Sequence, residues 1–331
     1  MKKTLFEAVK QYKTLSISGI CKNAGKTTAL NSLIECAPPN ETLALTSIGR
    51  DGESLDTVTG TKKPGIYIRE GSLLATAEKL LKSCDITKDI LDTTETSTPL
   101  GDIILIRALS DGNVQLAGPS VVSQLKSLTK LFYKHGAHRI IIDGAAGRKS
   151  LCTRALSEAS ILCSGASYSA SMEETIDETA HACTLLMTGE VHGNVSMSIQ
   201  TENSGSKYII IGKEKTALPD GADITSALKQ AKDPTFLHIK GALTDNLLDS
   251  LIRTGLPKGL TIVTDDASKL LISAENLHRL EIAKGQLGVL ESINLAAITI
   301  NPYSAFDNHY DEIKFMEGMQ KAVPIPVINV M

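Results

Sequence analysis

The stretch Thr14-Leu15-Ser16-Ile17-Ser18-Gly19-Ile20-Cys21-Lys22-Asn23-Ala24-Gly25-Lys26-Thr27-Thr28 decides the fold. Its first five residues are a compact β-prone run that feeds straight into a glycine loop. Residues 27–36 then read as a helix, stopped before Pro38-Pro39 because neither proline can continue it. Strand, loop and helix in that order turn free backbone N–H groups and the positive helix end toward the loop, an arrangement that holds phosphate. Within it Gly25 lets the backbone come close, Lys26 is placed to reach the β- and γ-phosphates, and the Thr27 hydroxyl to ligate Mg²⁺. Gly19, Asn23, Ala24 and Thr28 complete the predicted cradle. A chance Gly-Lys-Thr opening a helix is the competing reading, and the strand before it and the helix after it argue against that.

Working outward, residues 4–12 read as a short amphipathic helix and 43–48 as the next strand, ending at Gly49-Arg50-Asp51-Gly52 and closing one βαβ unit. Strands are predicted at 65–68 and 103–106, a helix at 72–82, a turn at Asp111-Gly112-Asn113, and a helix from Pro119 to about Tyr133. Arg139–Asp143 is an apolar run ending in a carboxylate, the pattern of a central parallel strand buried on both faces. A strand at 160–163 and a helix at 171–187 repeat the unit. Further strand-like runs at 207–211, 235–239, 260–264 and 269–273, with helical pattern in Asp245–Arg253, form an additional α/β segment. The last strands are 295–300 and 326–330. The prediction is an α/β protein with a mainly parallel, doubly wound sheet of the P-loop type. Residues 1–190 form the nucleotide-binding domain, 191–290 the additional segment, and 291–331 strands that complete the first domain.

Composition narrows the function. The 331 residues are 42% hydrophobic, enough for a packed core. The 34 Lys and Arg nearly balance the 37 Asp and Glu, which disfavours nucleic acid as the main ligand. The start Met1-Lys2-Lys3-Thr4-Leu5-Phe6-Glu7 is too polar for a signal peptide and no run approaches about 18 apolar residues, so a cytoplasmic protein with no membrane partner is expected. Six cysteines, at 21, 36, 84, 152, 163 and 183, include no Cys-x-x-Cys pair and suit buried thiols. The seven histidines show no metal spacing; His135 and His138 read as cations at a helix C-terminus.

The glycine spacing departs from Gly-x-x-x-x-Gly-Lys-Thr, because Ile20 stands where glycine is needed and the glycine comes one residue earlier, at Gly19. This longer loop resembles that of dethiobiotin synthetase and the cobyric-acid-type amidoligases. The lysine that marks the deviant loop of the related cell-division and metallocentre-maturation ATPases would fall at Cys21, which argues against an intersubunit lysine here. Asp143-Gly144-Ala145-Ala146-Gly147 is similar to the Glu-Gly-Ala-Gly-Gly of the ligases; a carboxylate there holds Mg²⁺ through its water shell. Asp51 is a second candidate for Mg²⁺ or for orienting the attacking water, against an ordinary Asp-Gly turn. Ala296-Ala297-Ile298-Thr299-Ile300-Asn301-Pro302 resembles the strand-then-Asn of the same ligases, where the amide meets the base; a turn residue before proline is the alternative for Asn301. With no Thr/Asn-Lys-x-Asp pattern at that strand, adenine is favoured over guanine, so the expected cofactors are ATP and Mg²⁺.

Four strings together resemble the lysine 5,6-aminomutase reactivases of the KamB type. They are the loop from Ser18 to Thr28, Thr46-Ser47-Ile48-Gly49-Arg50-Asp51-Gly52-Glu53, Val58-Thr59-Gly60-Thr61-Lys62-Lys63-Pro64, and Arg107-Ala108-Leu109-Ser110-Asp111-Gly112. The resemblance covers about residues 14–150 most strongly. It implies an accessory ATPase that, with a MutS-like ATPase partner, restores an adenosylcobalamin-dependent aminomutase. The chain has no Asp-x-His-x-x-Gly motif for cobalamin; the nearest string, Asp307-Asn308-His309-Tyr310-Asp311-Glu312, lacks the glycine. Three activities remain open on sequence alone: a conformational ATPase, a ligase that activates a small carboxylic acid, and a nucleotide-binding subunit that does not hydrolyse.

Overall fold

Leu15 and Ile17 pack to one side of the first strand while Ser16 bonds Ser160 on the other, and that alternation sets two layers around one sheet. The structure is a computed structural model and describes residues 2–51, 65–144, 153–154, 156–201, 205–304 and 308–331. The chain begins with α1 Lys2–Val9, β1 Thr14–Gly19, α2 Lys26–Cys36, β2 Leu43–Ser47 and β3 Gly49–Asp51. β4 Ile66–Ile68, β5 Leu73–Ala77, β6 Lys88–Thr98, β7 Gly101–Ala108, β8 Gly112–Val114 and β9 Leu116–Gly118 follow. Then come α3 Val122–Lys134, β10 Arg139–Asp143, β11 Ala159–Gly165, α4 Met172–Leu186 and α5 Asn194–Gln200. β12 Tyr208–Ile211, β13 Lys215–Leu218, α6 Ile224–Gln230, β14 Phe236–Ile239, β15 Leu243–Thr244 and α7 Asp245–Arg253 continue the chain. It ends with β16 Thr261–Asp266, β17 Leu270–Leu271, α8 Ala274–Ile282, β18 Gln286–Glu291, β19 Leu295–Asn301, α9 Glu312–Ala322 and β20 Val327–Asn329.

Two compact units divide these elements. The first is Met1–Ala180 with Asn294–Met331, and the second is His181–Ile293. The inserted unit thus begins about ten residues before the position expected from sequence, inside α4, and the C-terminal strands return to the first unit.

The first unit holds a nine-stranded sheet in the order β20-β19-β11-β1-β10-β2-β5-β7-β6. Neighbours from β20 to β5 run parallel, whereas β7 is antiparallel to both β5 and β6. Leu5 and Val9 of α1 and Leu30 and Leu33 of α2 pack with Leu15, Leu45 and Ile141 on one face. Leu125, Leu128 and Phe132 of α3 pack with Ala44, Ile140 and Ile142 on the other. The Ile-rich run of β10 therefore feeds both layers, as its unbroken apolar pattern requires. The small second unit has its own sheet, β13-β12-β14-β16-β18, with β14, β16 and β18 parallel. Its α8 starts at Ser273, whose side chain accepts from Asn276 N, and Asp245 of α7 accepts from both Ser273 N and Asn276 Nδ2.

Several segments differ from the sequence reading. The turn expected at Asp111-Gly112-Asn113 opens β8, the strand expected at 269–273 is only β17 after a 3₁₀ turn over Ala267–Lys269, and α5, α6, α8 and α9 are helices that the sequence pattern does not announce. Residues 72–82, expected as a helix, form β5 and then a 3₁₀ turn over Glu78–Ser83. All five residues of β5 are buried between β2 and β7, and a short apolar run buried on both faces carries no period that separates strand from helix. β6 went unread because its polar sequence, Lys-Asp-Ile-Leu-Asp-Thr-Thr-Glu-Thr-Ser-Thr, lies at the sheet edge and buries little.

At the N-terminal end of β10, Arg139 ties this layer to α1. Its guanidinium is 7% exposed and donates to the carbonyls of Val9, Lys10 and Tyr12, to Glu41 Oε1 at 2.5 Å, and lies 5.1 Å from the Phe6 ring centroid. Removing it leaves three carbonyls at and just after the α1 end and the largely buried carboxylate of Glu41 without their donor. Arg139→Met is expected to lower unfolding free energy by about 3 kcal/mol in urea denaturation; a loss below about 0.5 kcal/mol would show the clamp to be dispensable.

Candidate functional site

Parallel pairing collects the chemistry at one edge. Because β1 lies between β10 and β11 with Ile17 opposite Asp143 and Gly19 opposite Cys163, the strand ends at Gly19, Asp143 and Gly165 come out on the same side of the sheet. β19 adds Asn301 next to Gly165. Loops at the carboxyl ends of parallel strands are where open α/β sheets bind ligands.

The turn from β1 to α2 is built for close approach. Asn23 has φ 58° and Gly25 φ 93°, so the chain passes twice through the left-handed region before α2 begins. Gly25 is the residue that precedes the helix, and it offers no side-chain oxygen to the first-turn N–H groups of Lys26, Thr27 and Thr28. Those donors and the helix dipole face the space the loop encloses. At Gly19 an added Cβ would meet Cys21 O at 3.2 Å, Ala24 Cβ at 3.3 Å and Lys26 Cγ at 3.3 Å. The Lys26 side chain therefore runs back over Gly19, under the loop it would serve, and Ala24 is buried against the same floor. Ile20 N donates to Cys163 O at 3.0 Å and fixes the loop to β11. Small residues where a Cβ would intrude, an uncapped helix start and a lysine whose side chain sets out beside Gly19 are the features by which such a turn could hold phosphate.

Asp143 ends β10 almost wholly buried, with Gly144 N donating to Ile17 O at 2.8 Å and Ile48 N donating to Asp143 O at 2.9 Å. Its carboxylate and the hydroxyl of the partly buried Thr27, at the start of α2, are oxygen donors of the kind that could hold Mg²⁺ when phosphates and water supply the remaining ligands. Among the described residues no cluster of three or more His, Cys, Asp or Glu side chains could hold a metal. Asp51 lies on β3, opposite Leu116 of β9, four residues past the end of β2. Residues 52–64 and 145–152, which carry the rest of the glycine runs after Asp51 and Asp143, are outside the described residues.

Asn301 has a task the sequence reading did not foresee. Its Nδ2 donates to Asn23 O at 3.2 Å and its Oδ1 accepts from Tyr303 N at 3.0 Å, which takes one of its two amide hydrogens and one of its lone pairs. Its Cβ is 3.1 Å from where a Cβ on Gly25 would stand and 3.2 Å from one on Gly165. The amide expected against a base thus braces the left-handed turn between β1 and α2. Gly165 is required for that approach, since its added Cβ would also meet Ala24 Cα at 3.2 Å. Nothing in the sequence singled it out, as it ends an apolar strand with no motif around it.

Residues 166–171, after β11, are held by Asn308 and Tyr310. Asn308 Nδ2 donates to Ala166 O and Ser169 O, both at 2.9 Å, and Tyr310 Oη donates to Ser171 O at 3.0 Å. Tyr168 stands nearby, its phenol pushed up by burial and by the carboxylates of Glu178 and Glu174. No protein-family model matches the chain, and neither a curated protein nor a solved structure matches it.

Cys21 reports on the loop interior. Burial pushes its thiol up to about 11, with Lys26 pulling weakly the other way. At pH 8 its alkylation by iodoacetamide should therefore run about 100-fold slower than that of a thiol at the ordinary value of 9, and Lys26→Met should slow it further. Peptide mass spectrometry that finds Cys21 among the first cysteines modified would contradict this placement.

Proposed function

We propose that this chain is a P-loop protein that binds Mg²⁺-ATP at the β1–α2 turn. We further propose that it uses the nucleotide, with a MutS-like ATPase partner, to reactivate an adenosylcobalamin-dependent lysine 5,6-aminomutase. The observation that carries the nucleotide part is the turn itself, in which Gly19 admits the Lys26 side chain and Gly25 leaves the α2 start uncapped. The client and the partner rest on the sequence resemblance of the loop, the Asp51 region and residues 107–112 to the KamB-type reactivases.

In this reading Lys26 neutralises the β- and γ-phosphates, the first-turn N–H groups of α2 hold them, and Thr27 and Asp143 hold Mg²⁺. The bound magnesium supplies charge neutralisation on the phosphate oxygens. Asp51 is the candidate for orienting an attacking water. Because Asp143 and Asp51 stand where the chain leaves β10 and the end of β2, the presence or loss of the γ-phosphate can bias the segments that follow them. A second reading, a ligase that activates a small carboxylic acid, is favoured by the five residues between Gly19 and Gly25. A ligase releases phosphate only when its acid is present, whereas a reactivase turns over slowly alone and responds to a protein partner.

Lys26→Ala should weaken Mg²⁺-ATP about 100-fold or more in calorimetry, because the triphosphate loses a buried countercharge. Asp143→Asn should weaken Mg²⁺-ATP but not metal-free ATP. Unchanged affinity in the first variant would remove the phosphate-loop assignment, and an unchanged magnesium dependence in the second would move the metal elsewhere. For the client, the wild-type chain mixed with a MutS-like partner, an inactivated lysine 5,6-aminomutase, fresh adenosylcobalamin and Mg²⁺-ATP should restore mutase turnover, and Lys26→Ala should not. Equal rescue by the partner alone would reject the reactivase assignment.

A further inference from the structure

Beyond Asn301 the chain leaves β19 as a small hairpin. Tyr303 bridges to His309, Ser304 N donates to Asn308 O at 3.1 Å, and Tyr310 N donates to Pro302 O at 2.9 Å. The hairpin is moored to residues 166–171 through Asn308 and Tyr310, and the Tyr310 ring packs edge-on at 5.0 Å against Phe315 of α9. What these ties present is an aromatic pair in the open. Tyr303 is 46% exposed and His309 is exposed, with ring centroids 5.5 Å apart and planes at 70°.

The position of this pair relative to the loop gives it a use. Asn301 turns its side chain onto Asn23 and Gly25 of the β1–α2 turn, and Tyr303, two residues on, donates its own N–H to the Asn301 amide, so the exposed pair is tied directly to the group that braces the turn. We propose that the Tyr303 ring, buttressed edge-on by His309, is the platform on which the nucleobase of the bound nucleotide stacks, with Asn301 joining platform and phosphate loop into one rigid piece. The inference rests on the nucleotide reading given above. It adds the base-binding surface that the occupied amide of Asn301 does not by itself supply. An aromatic face grips any base through its π system, and stacking of this kind is worth about tenfold or more in affinity per base.

The test compares ATP with inorganic tripolyphosphate, which carries the phosphates without base or ribose, on the full chain in the presence of Mg²⁺. Wild type is expected to bind ATP more tightly than tripolyphosphate. Tyr303→Ala and Tyr303→Leu should each lose about tenfold in ATP affinity and leave tripolyphosphate unchanged, while Lys26→Ala weakens both ligands. Because the chain contains no tryptophan, Tyr303→Trp adds a single reporter whose fluorescence should change with ATP and stay constant with tripolyphosphate. ATP binding unaltered in both Tyr303 substitutions, with Lys26→Ala still impaired, would overturn the platform and leave the phosphate loop standing. Equal weakening of both ligands in the Tyr303 variants would mean that the hairpin only supports the loop, which also overturns it. A wild-type chain that binds neither ligand would remove the nucleotide reading and the platform together.

Discussion

The central position of β1 is the constraint on which the strand-end edge carrying Gly19, Asp143 and Gly165 depends. Held on one side by β10 and on the other by β11, it has no freedom of register, so the turn after Gly19 emerges at a fixed height beside Asp143 and Gly165. Parallel neighbours then deliver three further strand ends to the same edge. The buried serines Ser16, Ser157 and Ser160 satisfy one another within this packing at 2.8 and 3.0 Å, so the polar residues of β1 are accommodated without a cost in unpaired hydroxyls.

From that constraint the loop acquires its shape. A chain that leaves a buried strand and must start a helix within a few residues has little room, and two left-handed residues, Asn23 and Gly25, make the reversal. Such a conformation persists only where its surroundings hold it. Here the holding group is Asn301, whose amide bonds Asn23 O and whose Cβ leaves no space for a side chain on Gly25 or Gly165. The end of β19 therefore braces the β1–α2 turn although it lies far away in sequence, and the return of residues 294–331 to the first unit is what brings it there.

Much of this was legible before the structure. The apolar run Arg139–Asp143 and the β-prone run before Gly19 announced central strands, because both are buried on two faces and neither tolerates a polar interruption on its apolar positions. The turn between β1 and α2 was legible because a β-prone run, a glycine loop and a helical run follow one another there, and the structure forms β1, the turn and α2 in that order. β5 and β6 were not, the first because five buried residues carry no period and the second because an edge strand carries little apolar signal. Gly165 and the bracing role of Asn301 were invisible for another reason. They depend on contacts between segments more than a hundred residues apart, and a lone glycine or asparagine looks the same whether it turns a chain or supports another one.

The two units bear differently on the functional account. All the residues assigned to the nucleotide lie in the first, and the small sheet of His181–Ile293 contributes none of them. The central claim is that the first turn of α2 holds phosphate, and hydrogen–deuterium exchange of the intact chain with and without Mg²⁺-ATP addresses it most directly. The account expects the backbone amides of Gly25, Lys26, Thr27 and Thr28 to exchange freely in the absence of nucleotide and to become strongly protected on adding it, with the peptide covering Asn301 slowing in parallel. Unchanged exchange across residues 19–28 at saturating Mg²⁺-ATP would contradict the account at its root.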